Sequence, residues 1–222
     1  MALRRYIAEF AALPAATVEA FHSIDASVAG DAMNRERVMA AAIKPLAPGM
    51  RLCGQARTVC AMAGDNGIVH AAIPLVEPGQ VLVVDAAGLE DVAVWGEVMT
   101  QAALHRGIAG VVLDGATRDA AAIRELGFPL FSRAVVPRGP HKGFGGTIDD
   151  IVAVGGVAVA PGDLVIGDDD GVAVVPLHCV DAVLAEAKAT REKEERWFEQ
   201  IAAGRTTAEL IGVPEPEILK RG

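Results

Sequence analysis

The sequence predicts an α/β fold in one domain, and three observations carry that reading. Two short β-branched runs, Val81–Val84 and Ile108–Leu113, flank a stretch of helical spacing from Gly96 to Arg106, the pattern of parallel strands joined by a crossover helix. Between Thr147 and Val175, short apolar runs alternate with turns at Gly155-Gly156, Pro161-Gly162-Asp163 and Asp169-Asp170-Gly171, which predicts an antiparallel β layer. A long helix then runs from Leu177 to Ala203. The chain has 222 residues, 52% of them hydrophobic, enough to bury a full core within one domain. That domain spans 1–222, with 177–203 as its C-terminal helix and 204–222 as a tail.

The elements follow in order. Thr17 is placed to cap a helix running to about Ala29, and Asp31 to Met33 begins a further short turn. Lys44 to Gly49 carries two prolines and is a loop. Cys53 to Met62 alternates as a strand should, after which Asp65-Asn66 can cap a helix from Gly67 to Leu75. Glu77-Pro78-Gly79 turns the chain into the strand Val81–Val84, which closes at Asp85. The helix from Gly96 stops at Gly107, a residue suited to end a helix in the left-handed conformation. Ile108–Leu113 closes at Asp114-Gly115, a second helix opens at Arg118-Asp119, and Leu130-Phe131 forms a third strand with Ser132 and Arg133 near its end. Val136 to Gly146 is a glycine-rich loop.

Composition narrows the function. A net charge of −9 and a pI near 5.0 leave no basic stripe for nucleic acid. Cys53, Cys60 and Cys179 form no C-x-x-C pair, so neither a disulfide framework nor a zinc site is expected, and the thiols suit a reducing cytoplasm. MALRRYIAEF lacks the apolar core of a signal peptide. The longest apolar stretch, Ile151 to Pro161, is about half of a membrane span. A cytoplasmic protein with no membrane and no nucleic-acid partner is the expectation.

The most informative spacing is the 20 residues between Glu97 and Arg118-Asp119. Right-handed crossovers place the start of both helices at the carboxyl edge of a parallel sheet, where open α/β sheets bind ligands. Glu97 opens one helix and Arg118-Asp119 the next, so two carboxylates and a guanidinium converge. Arg118 can grip a carboxylate or enolate with two parallel bonds, and the acids can hold a hard divalent cation. Main-chain N–H groups of Val98 and Met99 complete an anion pocket that Gly96 leaves open to close approach. This pattern fits a metal plus a small carboxylic acid. The alternatives are an ordinary N-cap at Asp119 and a solvated first-turn acid at Glu97.

Further stretches carry a family resemblance: Gly64-Asp65-Asn66 with His70, Gly127-Phe128-Pro129, Gly139-Pro140-His141-Lys142, and GGVAVAPGDLVIGDDDGVAVVP from Gly155 to Pro176. With the acidic residue, 20-residue spacer and Arg-Asp pair, the chain resembles the RraA-like family over most of residues 30 to 200. Its enzymatic members are class II pyruvate aldolases acting on 4-hydroxy-4-methyl-2-oxoglutarate and 4-carboxy-4-hydroxy-2-oxoadipate. The resemblance implies a layered β/β/α fold of the swivelling-domain type. It also implies Asp119 as direct ligand of Mg²⁺ or Mn²⁺, Glu97 reaching the ion through water, and Glu194 joining from the neighbouring subunit of a homo-oligomer, a trimer or hexamer. Arg118 would stabilise the pyruvate enolate. No side chain in the motif is an obvious base for the substrate's 4-hydroxyl, which leaves a metal-bound water. Oxaloacetate fits the same chelate, so its decarboxylation is expected as a side activity. The other class within the family comprises non-catalytic regulators that bind an RNA-degrading enzyme and lack the intact Arg-Asp pair. A methyltransferase reading meets no glycine-rich nucleotide loop after a first strand.

Some residues admit two readings. His70 on a helix, and His141 and Lys142 in the glycine-rich loop, fit either a ligand-facing role or ordinary packing and exposure. Asp168-Asp169-Asp170 suggests metal but sits where a hairpin turn belongs. Glu192, Lys193, Glu194 and Glu195 form a solvated helix face unless a partner subunit covers it. The terminal IAAGRTTAELIGVPEPEILKRG departs from the characterised aromatic-degradation aldolases, which leaves the oxo acid open.

Overall fold

Parallel strands buried on both faces account for the centre of the molecule. In this computed structural model, which describes residues 2–220, Val81, Leu82, Val83 and Val84 are all fully buried, as expected where a sheet is covered on each side. The N-terminal part comprises strand β1 (Leu3–Arg5), helices α1 (Ala15–His22) and α2 (Ala26–Ala32), the two-residue β2 (Lys44–Pro45) and the long β3 (Leu52–Ala61). Next come α3 (Gly67–Ala72), β4 (Val81–Trp95), α4 (Glu97–His105), β5 (Gly110–Thr117), α5 (Ala120–Glu125) and β6 (Leu130–Val135). The short strands β7 (Gly146–Ile148), β8 (Val152–Val154), β9 (Val157–Val159), β10 (Leu164–Asp168) and β11 (Gly171–Val175) precede the long α6 (Val180–Ala202) and a terminal α7 (Thr207–Ile211).

Strands β3, β4, β5 and β6 pair in parallel in that order. Their alternate residues split between two cores. Val59, Leu82, Val84, Val111, Leu113 and Leu130 meet Ile68, Val69, Met99, Ala103 and Ile123 from the helices α3, α4 and α5. Ala56, Val81, Val83, Val112 and Phe131 face the valines of β8, β9, β10 and β11. The first half of β3 pairs antiparallel with β10 and its second half parallel with β4, so one strand belongs to both layers. Behind the β10–β11 hairpin a third core holds Phe21, Val28, Val180, Val183 and Ala187 from α1, α2 and α6, with Ile24 from the segment between α1 and α2. The α/β class, the parallel βαβα unit, the antiparallel layer and the long C-terminal helix stand as the sequence predicts.

Several details differ. No single helix runs from Thr17 to Ala29: α1 starts after Pro14, and a break at Ser23 to Asp25 leads into α2. The break is tertiary in origin, because the first N–H of α2, on Ala26, donates to buried Asp168 Oδ2 at 2.7 Å. Strand β4 does not close at Asp85 but passes through an irregular stretch, with Ala87 and Gly88 at positive φ, to reach Trp95. The loop at Lys44 contains a two-residue strand against β6. β1, with no signal in the sequence, pairs in parallel with β7 and is held by Arg5 on buried Asp149, which Arg57 also binds. The tail contains α7, whose Thr206 and Glu209 form a capping box that the Thr-x-x-Glu spacing announces. Among the described residues no helix is long and apolar enough to cross a membrane.

The triple-Asp segment is a hairpin turn. Asp168 accepts from Ala26 and, at 3.0 Å, from Asp170 N–H, while Asp169 accepts from Gly49 N–H at 2.7 Å. Asp168→Ala strips the buried Ala26 N–H and the part-buried Asp170 N–H of their acceptor and should destabilise the protein by about 1–3 kcal/mol in urea unfolding. An unchanged unfolding midpoint would show that water replaces both bonds.

Candidate functional site

The sheet delivers its own carboxyl edge to the site. At the end of β4, Trp95 is buried, stacks on Phe128 with ring centroids 6.4 Å apart, and donates from Nε1 to Thr100 Oγ1 at 2.8 Å. Its carbonyl accepts Arg118 N–H at 3.0 Å, which locks the ends of β4 and β5 side by side. Gly96 and Arg118 therefore leave the sheet as neighbours, and their helices start together, as the 20-residue spacing predicts.

Asp119 is where the chain departs from ordinary geometry. It occupies the N-cap position of α5 at φ 58° and ψ 33°, yet makes no side-chain bond to that helix. Its Oδ2 instead accepts the N–H of Glu97 at 3.0 Å and lies 3.5 Å from Arg118 Nε. The carboxylate thus caps the neighbouring helix α4. A left-handed conformation at a non-glycine residue costs free energy and marks sites where geometry outranks stability. Gly96 makes the approach possible, since a Cβ there would stand 2.6 Å from Asp119 Oδ2 and 3.2 Å from Arg118 Cγ. Gly139, across the site, has the same relation to the guanidinium: a Cβ would meet Arg118 Nη1 at 2.7 Å.

A loop from β6 to β7 roofs this corner and is fastened along its length. Ala93 N–H donates to Arg138 O at 2.9 Å, His141 N–H to Gly64 O at 2.8 Å, and Asn66 N–H to His141 O at 3.1 Å. Fully buried Asp65 accepts Gly67 N–H with one oxygen and Phe144 N–H with the other. Asp65, not Asn66, caps α3. Asn66 turns its Nδ2 to Val94 O and Met99 Sδ, and its Oδ1 is buried without a hydrogen-bond partner.

The result is a cavity of about 240 Å³ lined by Gly96, Val98, Met99, Arg118 and Asp119 together with Asn66, His70, Ala93, Trp95, Pro140 and Lys142. Burial, and secondarily the charge of Lys142, hold His70 below the usual histidine pKa. Arg118 and Asp119 keep 44% and 40% of their side chains exposed, so both remain open to a ligand. Val98 and Met99 stand in the first turn of α4, where N–H groups have no partner inside the helix. The site residues expected from sequence come together, with two exceptions. Glu97 contributes its N–H while its exposed side chain is not part of the lining. Glu194 lies on α6, whose first half packs behind the β10–β11 hairpin, and within one chain it does not reach the cavity.

Among the described residues no three His, Cys, Asp or Glu side chains gather as a metal cage. The donor set nonetheless fits a small hard cation. Mg²⁺ commonly keeps several waters and binds through one or two carboxylates plus its ligand's oxygens, and Asp119 commits only Oδ2 within the protein. Asn66 and His70, which the sequence singles out beside Asp65 as candidates, both line the cavity, whereas Asp65 is spent on the backbone. Trp95 carries no signal in the sequence, because the apolar run ends at Asp85 and β4 continues ten residues beyond it.

The pattern of the family described as RraA-like, Aldolase/RraA, matches residues 25–174. A protein of Halalkalibacterium halodurans, provisionally named a 4-hydroxy-4-methyl-2-oxoglutarate aldolase, is 38% identical over 175 residues, covering 79% of this chain and 83% of that protein. Among solved structures, Streptomyces coelicolor RraAS2, described as an unusual member of the RNase ES inhibitor RraA family, has a TM-score of 0.77 at 29% identity and covers 84% of this chain and 98% of its own. The RNA-processing inhibitor RraA from Thermus thermophilis is 31% identical with a TM-score of 0.62, over 68% of this chain and 92% of that one.

The strain at Asp119 is testable without a substrate. Asp119→Gly and Asp119→Ala both lose the bond to Glu97, but only alanine keeps a Cβ in the left-handed region. The glycine variant should be the more stable of the two by about 1 kcal/mol in chemical denaturation. Equal stabilities would mean that the turn relaxes once the carboxylate is gone.

Proposed function

From the premise that the chain belongs to the RraA-like family, we propose that it is a divalent-metal-dependent carbon–carbon lyase that cleaves a 4-hydroxy-2-oxo acid and releases pyruvate. The observation that carries this reading is the single cavity in which the Arg118 guanidinium, the Asp119 carboxylate and the first turn of α4 meet. Substrates of the 4-hydroxy-4-methyl-2-oxoglutarate or 4-carboxy-4-hydroxy-2-oxoadipate type fit it, and oxaloacetate decarboxylation would give the same enolate.

In the cleavage, the 4-hydroxyl loses its proton to a water in the cavity, its oxygen becomes a carbonyl, the C3–C4 electrons pass into an enolate on the 2-oxo half, and that enolate takes up a proton at C3 to leave as pyruvate. Asp119, with Glu97 acting through water, would hold Mg²⁺ or Mn²⁺, which would supply electrophilic charge for the 2-oxo oxygen. Arg118 presents its planar fork to the carboxylate and the developing enolate oxygen, a charge already in place before the bond breaks. The N–H groups of Val98 and Met99 orient the carboxylate at the positive end of α4. Asp119, by bonding Glu97 N–H, keeps the cation side and the anion side of the site in fixed relation. We further propose a homo-oligomer, trimer or hexamer, in which Glu194 of one copy approaches Asp119 of the next.

The rival reading, a regulator that binds an RNA-degrading enzyme, is favoured by the descriptions of the two solved relatives. Pyruvate release, coupled to lactate dehydrogenase across several 4-hydroxy-2-oxo acids, separates the two. Activity should disappear with EDTA and return with Mg²⁺ or Mn²⁺; full activity in metal-free protein overturns the mechanism, and no activity on any such acid favours the regulator.

Arg118→Lys keeps the charge and loses the fork. Its kcat should fall by about 100-fold or more with an unchanged melting curve. Near-normal turnover would place Arg118 outside the chemistry.

A further inference from the structure

The roof of the cavity runs straight into the edge of the sheet. Between Lys142, which lines the cavity, and β7 stand only Gly143, Phe144 and Gly145. Phe144 N–H donates to Asp65 at 3.2 Å, while Gly143, Gly145 and Gly146 all have positive φ and no side chain to pack. The three residues of β7 therefore anchor this end of the roof. Their inner edge pairs antiparallel with Val59 to Ala61 of β3. Their outer edge pairs in parallel with β1, and Ile148 O accepts Tyr6 N–H at 3.0 Å.

β1 buries little, since Leu3, Arg4 and Arg5 are all exposed, so strand pairing alone holds it weakly. Its fastening is ionic. Arg5 Nε donates at 3.1 Å to Oδ2 of Asp149, the residue that follows β7, and Arg57 of β3 binds the same oxygen. Asp149 is left-handed at φ 64°, its side chain is fully buried, and its Oδ1 has no hydrogen-bond partner. A buried carboxylate engaged through one oxygen relies on both of its cations. The segment after β1 is seated on the same residues: the Phe10 ring lies 6.0 Å from the Arg57 guanidinium, and Gln55 binds Leu13 N–H at 2.8 Å and Ala11 O at 3.0 Å. Residues 3–13 thus form a strap that ends on the anchor of the roof.

We propose that Arg5 is a positioning residue for the cavity: acting through Asp149 and β7, it holds the downstream end of the roof and so sets the place of Lys142. Arg5 is half-exposed, so its ion pair can open without unfolding the sheet, and β7 is then left with one partner strand. None of the strap's fastenings lies on α4 or α5, so Arg118 and Asp119 keep their places when it opens. The inference stands on the geometry of the roof; only the kinetic arm of its test rests on the lyase reading.

The test is hydrogen–deuterium exchange, read by mass spectrometry, in wild-type protein, Arg5→Met, Arg5→Lys and a deletion of residues 2–5 that removes β1 with its pairing. In Arg5→Met, peptides over 136–148 should exchange about 5-fold faster, the scale of one partly exposed ion pair, while peptides over α4 and β5 keep wild-type rates. Arg5→Lys should recover most of the protection, and the deletion should raise exchange further over the same peptides. The KM for 4-hydroxy-4-methyl-2-oxoglutarate should rise by a similar factor in Arg5→Met with kcat within about twofold, a split that a general loss of stability does not produce. Unchanged exchange over 136–148 in both Arg5→Met and the deletion, or an equal increase over every strand, overturns the proposal, as does a looser roof with an unchanged KM. A looser roof in a protein that cleaves no such acid upholds the hold of Arg5 on the roof and overturns the lyase reading.

Discussion

One hydrogen bond organises the site: Asp119 Oδ2 to the N–H of Glu97. It ties the start of α5 to the start of α4, and so fixes a helix N-terminus against a carboxylate and a guanidinium. The bond requires a left-handed aspartate and a glycine at position 96, whose missing Cβ leaves room for the oxygen. Each of these features is unfavourable or permissive alone, and together they admit one arrangement. A side chain that satisfies its neighbour's helix and not its own keeps its second oxygen for something outside the protein.

That arrangement needs a rigid base. The β4–β5 pair supplies it, with valines buried on both faces and Trp95 clamped between Phe128 and Thr100. Close packing of small residues transmits position with little slack, so the edge of the sheet sets where Gly96 and Arg118 emerge. β3, shared between two layers, and Asp168, reaching from the hairpin to α2, join the antiparallel part to the same frame. The roof is built on the same frame. Gly139 lets its backbone pass over Arg118 and Gly67 lets it approach the start of α3, while bonds to Gly64, Asn66, Asp65 and Ala93 hold it down.

Local pattern sufficed where the residues concerned lie close in sequence or repeat with a clear period. The strand at Val81, the helix from Glu97 to His105, the turns of the second half and the approach of Glu97 to Arg118-Asp119 all follow from spacing. The capping box of α7 has its signature too, in Thr206 and Glu209, within a Pro- and Glu-rich tail. The division of α1 from α2 had none, because the acceptor that starts α2 lies 142 residues away on Asp168.

The sequence by itself determined the α/β class, the crossover that brings two helix starts to one sheet edge, and the acid and arginine carried there, because hydrophobic period and handedness are local rules. Only the tertiary structure decided which helix Asp119 caps, that Asn66 keeps an unmet acceptor at the cavity, and that His70 and Lys142 line the same cavity as Arg118. Those outcomes depend on hydrogen bonds between residues far apart in the chain, and no local period encodes which distant donor an oxygen will meet.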